Sequence, residues 1–544
     1  MTVEAPGAGQ PLLVLADRIH TMAAVTAAEA TPARALLVRA GRIAAVGDAA
    51  SLRAAAPHAQ VLDLTGATVT PGLTDAHVHL VEWAFTRREV DVGPAASPAA
   101  AAELVARHAA GSADRTADDG GWLHGRGWNE HAWHGVSPDR SSLDALLPDR
   151  PVALQSHDMH ALWVNTAALR AAGITADSPD PEGGRIVRDS AGEPTGLLLE
   201  TAGRLVMERM PTPPVDSAVD AVRDAQRELH SLGITGVHSF PGIHRPVPTP
   251  GDVLRLLRSQ GELRLRVLDH IPLDALDAAI AAGVRSGDGD EWLRTGALKM
   301  FLDGALGSRT AWLRAPYEGG GGTGMRMMEP AVFRDAVRRA AAAGIASTVH
   351  AIVDAAVDLA LDVLTQPEFA VAAMPHRIEH LQCCAPERFA DAAAAGVVCS
   401  MQPSHLMTDW SAADACWGAV RCAGVFALAS LLRHGTVLAF GSDAPVEPVD
   451  PRRGLAAAVH RTDAGGSPAG GWFASERIGP REALRGYTVG PALAAGLAAP
   501  AGTLMPGAVA DLVAWDHDPV DEPDTLLEMR CIATLVDGVA VHHC

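Results

Sequence analysis

Thr74-Asp75-Ala76-His77-Val78-His79-Leu80 closes an apolar run that starts at Ala67 and passes through Thr68-Val69-Thr70-Pro71-Gly72-Leu73. Threonine, valine and leucine at this density read as an extended strand, and on a strand residues i and i+2 share a face. His77 and His79 are therefore delivered side by side at the strand's end, where two imidazoles can grip one metal ion. Such a pair also occurs as ordinary packing, so its meaning depends on what the rest of the chain brings.

Four more candidate ligands follow, each on a short apolar β-like run. Gly296-Ala297-Leu298-Lys299-Met300-Phe301-Leu302-Asp303-Gly304 carries Lys299 inside an otherwise buried pattern. The runs 344–350, 376–380 and 436–443 end in His350, His380 and Asp443. Each has a bland alternative: a satisfied core histidine for His350 or His380, a helix N-cap for Asp443 ahead of Ala444-Pro445-Val446. Their joint placement at strand ends points instead to a metallohydrolase built on a barrel. Further runs end near His238, His270 and Met401, making eight, and Ala-rich helical stretches such as 331–343 and 354–364 lie between them. Alternating β and α with chemistry at the carboxyl ends predicts an α/β fold, a (β/α)8 TIM barrel.

Other stretches extend the pattern: Gly125-Arg126-Gly127-Trp128, Trp163-Val164-Asn165, Ser308-Arg309-Thr310-Ala311, His350-Ala351-Ile352-Val353-Asp354, Arg377-Ile378-Glu379-His380, Met401-Gln402-Pro403-Ser404-His405, Gly441-Ser442-Asp443-Ala444-Pro445-Val446 and the tail 502–513. On these residues the chain resembles the amidohydrolase superfamily, and within it the YtcJ-like branch of amidohydrolase family 3, almost end to end. It departs where Met159 stands in Ser156-His157-Asp158-Met159-His160 in place of the branch's usual glycine, and where Ser239 follows His238 in place of an acidic residue. Both departures bear on substrate class rather than metal chemistry.

The resemblance implies a metal-dependent hydrolase of a non-peptide C–N bond (amide, N-formyl or cyclic amide) using a metal-activated hydroxide. It implies that His77, His79 and Asp443 hold one metal, that His350 and His380 hold a second, and that a carboxylated Lys299 bridges two zinc ions. Manganese and iron also suit these ligand types. A lysine ion-paired with Asp303 beside a single metal is the simpler alternative. Asp443 would take a proton from the nucleophile and return it to the leaving nitrogen. Two rival classes stand beside this reading: a non-hydrolytic isomerase or decarboxylase of the same superfamily, and a non-catalytic regulatory or binding protein. The second predicts missing ligands, and none is missing.

The 544 residues exceed one ordinary domain. A formal net charge of −20 argues against nucleic acid or an anionic membrane as partner and favours a small-molecule substrate; homo-oligomerisation stays open. Seven cysteines without a CxxC, and the lack of a basic leader or long apolar span, make the cytoplasm the expected compartment. Short apolar runs separated by turn signals occupy both ends, so residues 1–70 and 490–544 are expected to form one small composite β-sandwich beside a barrel over 71–489. The first βα connection is too long for a loop and is expected to hold an inserted lid or substrate subdomain at about 81–230. Trp128, Asp158 and His160 within it, with Asp303 and Arg309, are candidate substrate contacts, although Trp122, Trp128, Trp133 and Trp163 serve equally well as the insert's own core. Glu379 and Asp354 flank the ligand histidines and can orient them, Asp354 alternatively capping a helix. Gly319–Gly324 contains GxGxxG but lacks the strand and helix of a dinucleotide site and reads as a loop.

Overall fold

The computed structural model describes residues 10–23, 33–111, 120–130, 133, 136–156, 161–181, 183–243 and 245–544. Eight strands pair in chain order, all in parallel: Leu73–Val78, Ile234–Ser239, Arg266–Pro272, Leu293–Phe301, Ser347–Ala351, Arg377–His380, Val398–Met401 and Leu438–Phe440. Helices such as Pro330–Ala342 and Asp354–Leu364 return the chain between them. This is the expected (β/α)8 barrel. The third strand begins only at Arg266; Leu263 and Leu265 are buried ahead of it, so their apolarity reflects packing rather than pairing.

The barrel closes where its eighth strand meets its first. Asp443 N donates to His77 O (2.7 Å), and Ser442 donates from N (3.0 Å) and Oγ (2.6 Å) to the buried Asp75 carboxylate. Gly441 permits this approach, since a Cβ there would lie 2.3 Å from His77 N. Gly441→Ala is accordingly expected to cost about 1–3 kcal/mol through overpacking. A fall in the urea midpoint would register it, and an unchanged midpoint would show that the closure yields freely.

Inside the barrel, Arg377 and Glu379 point inward from the sixth strand and Ser400 from the seventh, as a two-residue period requires. Arg377 is fully buried yet donates to Glu379 Oε1 (2.8 Å), Ala76 O (2.8 Å), Ser400 Oγ (2.8 Å) and His238 Nδ1 (2.6 Å). A buried guanidinium is tolerated only with such complete pairing. It was not foreseen as a structural centre, because an arginine in a strand reads as a surface residue.

The two ends of the chain meet in one seven-stranded sheet, in the order Val539–His543, Cys531–Val536, Leu512–Trp515, Gln60–Pro71, Leu12–Ile19, Ala33–Arg39, Arg42–Gly47. The sheet curls until its edge strand reaches the lead-in to Leu512, Ile43 N donating to Ala508 O at 2.9 Å. Leu12, Val14, Leu36, Leu62 and Val69 from one end and Leu504, Leu512 and Leu535 from the other share the enclosed core.

The chain divides into two compact units, the second comprising His79–Asp224 and Pro241–Leu256. The boundary thus falls within the HxH motif, and residues 225–240 belong with the barrel. The second unit has its own six-stranded sheet, running from Gly184–Arg188 at one edge to Val90–Asp91 at the other. Its core contains Trp128, Trp133 and Trp163 at mutual ring distances of 6.0–6.5 Å. Gly319–Gly324 lies in a loop, with positive φ at five of its glycines. Among the described residues no helix is long and apolar enough to cross a membrane.

Candidate metal centre

His77 is the last residue but one of the first barrel strand, with 1 % of its side chain exposed. Its Nδ1 donates to Glu379 Oε2 (2.6 Å), which leaves Nε2 as the lone-pair nitrogen, 3.3 Å from Asp443 Oδ1. Its ring stacks on Phe240 with centroids 3.9 Å apart. His79 is locked in the same tautomer, because its Nδ1 donates to Pro241 O. Ligand atoms of His77, His79 and Asp443 all lie within 4.8 Å of one another, so His77 on the first strand, His79 just past its end and the carboxylate that follows the eighth strand converge on one point. Asp443 caps no helix: it sits at φ 60°, a strained setting that turns its carboxylate toward the histidines, and the next helix begins at Pro451 behind its own cap, Asp450.

Burial suits these groups to a cation. It pushes the His77 imidazole down to about 4 and His350 to about 3, and His380 well below its ordinary range, so all three stay neutral, as metal ligation demands. Burial would raise Glu379, but Arg377 and then His77 hold it well below the usual carboxylate range. Glu379 is thus the fixed anion behind His77, clamped by Arg377 and by Thr348 Oγ1. Asp354 takes no such part; its Oδ1 accepts from Arg314 N (2.9 Å) at the start of a helix. Glu379→Gln is expected to weaken metal binding by about 10–100-fold, the range seen when a ligand histidine loses its outer partner. Metal titration of the apoprotein checks this, and unaltered affinity would remove Glu379 from the site.

His380 and His350 stand beside the triad, their rings 4.4 Å apart and His380 5.0 Å from His77. His350 Nε2 faces Gly304 O at 3.1 Å. His380 adopts φ 72°, and its buried Nδ1 has no hydrogen-bond partner among the described residues. Lys299 is buried with its Nζ between two phenyl faces, 4.7 Å from the Phe240 centroid and 4.6 Å from that of Phe301. Burial lowers its amine to about 8 against the opposing pull of Glu379 and Asp443. The donors present fit a divalent metal: neutral imidazoles with fixed tautomers, a carboxylate, and one imidazole nitrogen lacking a protein partner.

Asp303 is fully buried, its carboxylate accepting from the backbone N–H groups of Trp312 (3.1 Å), Ile352 (2.9 Å) and Val353 (3.3 Å), which organises the loops around His350. Arg309 is exposed on a tight turn at φ 54°. Trp128 is buried in the second unit, its Nε1 donating to Leu154 O (2.8 Å). Asp158 and His160 lie outside the described residues.

Comparison with known proteins agrees with this geometry. The model of the amidohydrolase family matches residues 60–542. The chain belongs to the amidohydrolase family. It is 31% identical to the Bacillus subtilis (strain 168) protein named as the amidohydrolase YtcJ, over 89% of this chain and 91% of that one. It is also 31% identical to the N-substituted formamide deformylase of Arthrobacter pascens, over 93% of this chain and 94% of that one. Among solved structures, an uncharacterized metal-dependent hydrolase from Pyrococcus furiosus superposes with a TM-score of 0.76 at 27% identity, covering 94% of this chain and all of that one. Family, fold and ligand cluster together make this amidohydrolase a metal-dependent hydrolase.

Proposed function

We propose that this amidohydrolase cleaves a non-peptide C–N bond of a small molecule: an amide, an N-formyl group or a cyclic amide. The observation that carries the reading is the Asp443 carboxylate set 3.3 Å from the lone-pair nitrogen of His77, beside a second imidazole of matching tautomer. A divalent metal bound there lowers the pKa of water and polarises a carbonyl. His77, His79 and Asp443 would hold it, with zinc the first choice for such donors. Asp443 accepts the nucleophile's proton and passes it to the departing nitrogen, whose protonation is what lets an amine leave. Glu379 and Arg377 keep His77 from turning away.

His350, His380 and a carboxylated Lys299 are assigned to a second metal. The unpartnered Nδ1 of His380 and the burial of the Lys299 amine, which lowers it to about 8, support that assignment. Substrate selection is assigned to Arg309 and to Asp158 and His160 of the insert. The formamide deformylase among the relatives supports the N-formyl option. Seven unpaired cysteines support a reducing, cytoplasmic setting.

The test is metal analysis of the untagged protein coupled to a panel of N-acyl, N-formyl and cyclic amides, followed by proton release. Metal-dependent release of amine or amino acid is expected. A metal-loaded enzyme that leaves every amide intact while isomerising or decarboxylating a related acid would replace this reading. Alanine at Arg309 or His160 should alter relative kcat/KM across the panel with metal content retained; uniform scaling of all substrates would remove them from selection.

A further inference from the structure

Beside the ligands lies a second set of polar groups that the chemistry above leaves unused. Gln382 follows the sixth barrel strand, and Gln402, Ser404 and His405 follow the seventh. All four are buried, Gln402 completely. Among the described residues, Gln382 Oε1, both amide atoms of Gln402, Ser404 Oγ and His405 Nε2 have no hydrogen-bond partner. Buried polar atoms are nearly always paired, so a group of them at the carboxyl mouth of a barrel is a site awaiting a ligand's own donors and acceptors.

The placement of the set is fixed by its neighbours. Ser400 Oγ meets Arg377 inside the barrel, and Gln402, two residues on, continues the same inward face. Gln382 Nε2 donates to His405 Nδ1 (3.4 Å), and the Gln382 amide also reaches the Asp409 carboxylate. With Nδ1 accepting, the His405 proton resides on Nε2, which lies 3.9 Å from Asp443 Oδ2. That separation is too long for a direct hydrogen bond. A substrate atom accepting from His405 would lie within reach of the carboxylate that moves the proton.

We propose that Gln402, with Ser404 and His405, forms a substrate subsite that reads an amide presenting its N–H and C=O on the same side, as in a lactam, an imide or a cyclic urea. A glutamine side chain offers one acceptor and one donor side by side, and only a group with the complementary pair side by side can satisfy both at once. Open-chain secondary amides strongly favour the trans form, in which N–H and C=O point in opposite directions. They can satisfy one end of Gln402 but not both. The subsite therefore favours the cyclic amides among the classes named above, and in this it rests on the C–N hydrolase reading.

Binding to the metal-loaded full-length protein tests the subsite without requiring turnover. The probes are pyrrolidinone, N-methylpyrrolidinone (which lacks the N–H) and N-methylacetamide (which is trans), each titrated by calorimetry. Pyrrolidinone should bind on the order of tenfold more tightly than either. Gln402→Leu should abolish the preference, and Gln402→Glu, which accepts but does not donate, should retain only part of it. Equal binding of the three probes by the wild type, or no binding of pyrrolidinone, overturns the subsite even if both variants fail to fold. Hydrolysis of open-chain amides with kcat/KM values that Gln402→Leu scales uniformly would overturn it while leaving C–N hydrolysis standing. Selective pyrrolidinone binding by an enzyme that hydrolyses no amide would leave the subsite and overturn the hydrolase.

Discussion

Asp443→Asn is expected to lower kcat by a factor on the order of 10³, about 4 kcal/mol of barrier, while the barrel stays closed. An amide keeps the size of the carboxylate and can still face His77 Nε2, and the closing bond from residue 443 N to His77 O is a backbone bond that the change does not touch. What is lost is a group that can take a proton and give it back. The measurement is kcat on the best substrate of the panel, with metal content and circular dichroism as controls. A variant that folds, binds metal and turns over at near the wild-type rate would remove Asp443 from proton transfer.

Lys299→Ala is expected to abolish measurable activity and to halve the metal content. An ammonium ion between two cations would be strongly repelled, so a bridging role requires the amine first to become an anion. Reaction of the neutral amine with carbon dioxide forms an N–C bond and releases a proton, giving a carbamate with two oxygens to offer. Burial of Nζ, which lowers the amine to about 8, favours the neutral form that this reaction consumes, against the cation–π attraction of the Phe240 and Phe301 faces. A short carboxylic acid supplied with metal should restore part of the activity, because it replaces the missing oxygens. The rival picture, an ammonium paired with Asp303 beside one metal, finds the Asp303 carboxylate already engaged by three backbone N–H groups. A fully active enzyme holding one metal and an unmodified lysine amine would refute the bridge.

The barrel and the triad were legible in the sequence because both depend on periodicity. A two-residue period places His77 and His79 together, and the spacing of apolar runs by helices dictates parallel strands ending near His350, His380 and Asp443. Period does not say which neighbour a side chain meets. Glu379 and Asp354 looked alike as flanking carboxylates; only the register of the sixth strand aims Glu379 inward at His77 and leaves Asp354 at a helix start. Arg377 was hidden for the opposite reason, since hydropathy treats a buried, fully paired cation as surface. For Trp128 the sequence offered both a ligand contact and a place in the insert's core; its indole donates to Leu154 O and packs on two other tryptophans. Gln402, Ser404 and His405 stood in view as a motif, but their unmet hydrogen bonds emerge only when every neighbour is placed.

The curled sheet shared by the two ends of the chain imposes an order on biosynthesis. Gln60–Pro71 runs straight into the strand bearing His77, and one of its flanks is completed only by Leu512–Trp515, whose residues leave the ribosome more than 400 positions later. Until then Gln60–Pro71, which leads into the strand bearing His77, has one open edge, and such edges recruit foreign strands. His77 and His79 are therefore the first of the ligands to be translated and among the last to be secured. Metal should be captured stably only once Leu512–Trp515 has paired, which ties loading of the centre to a late step of folding.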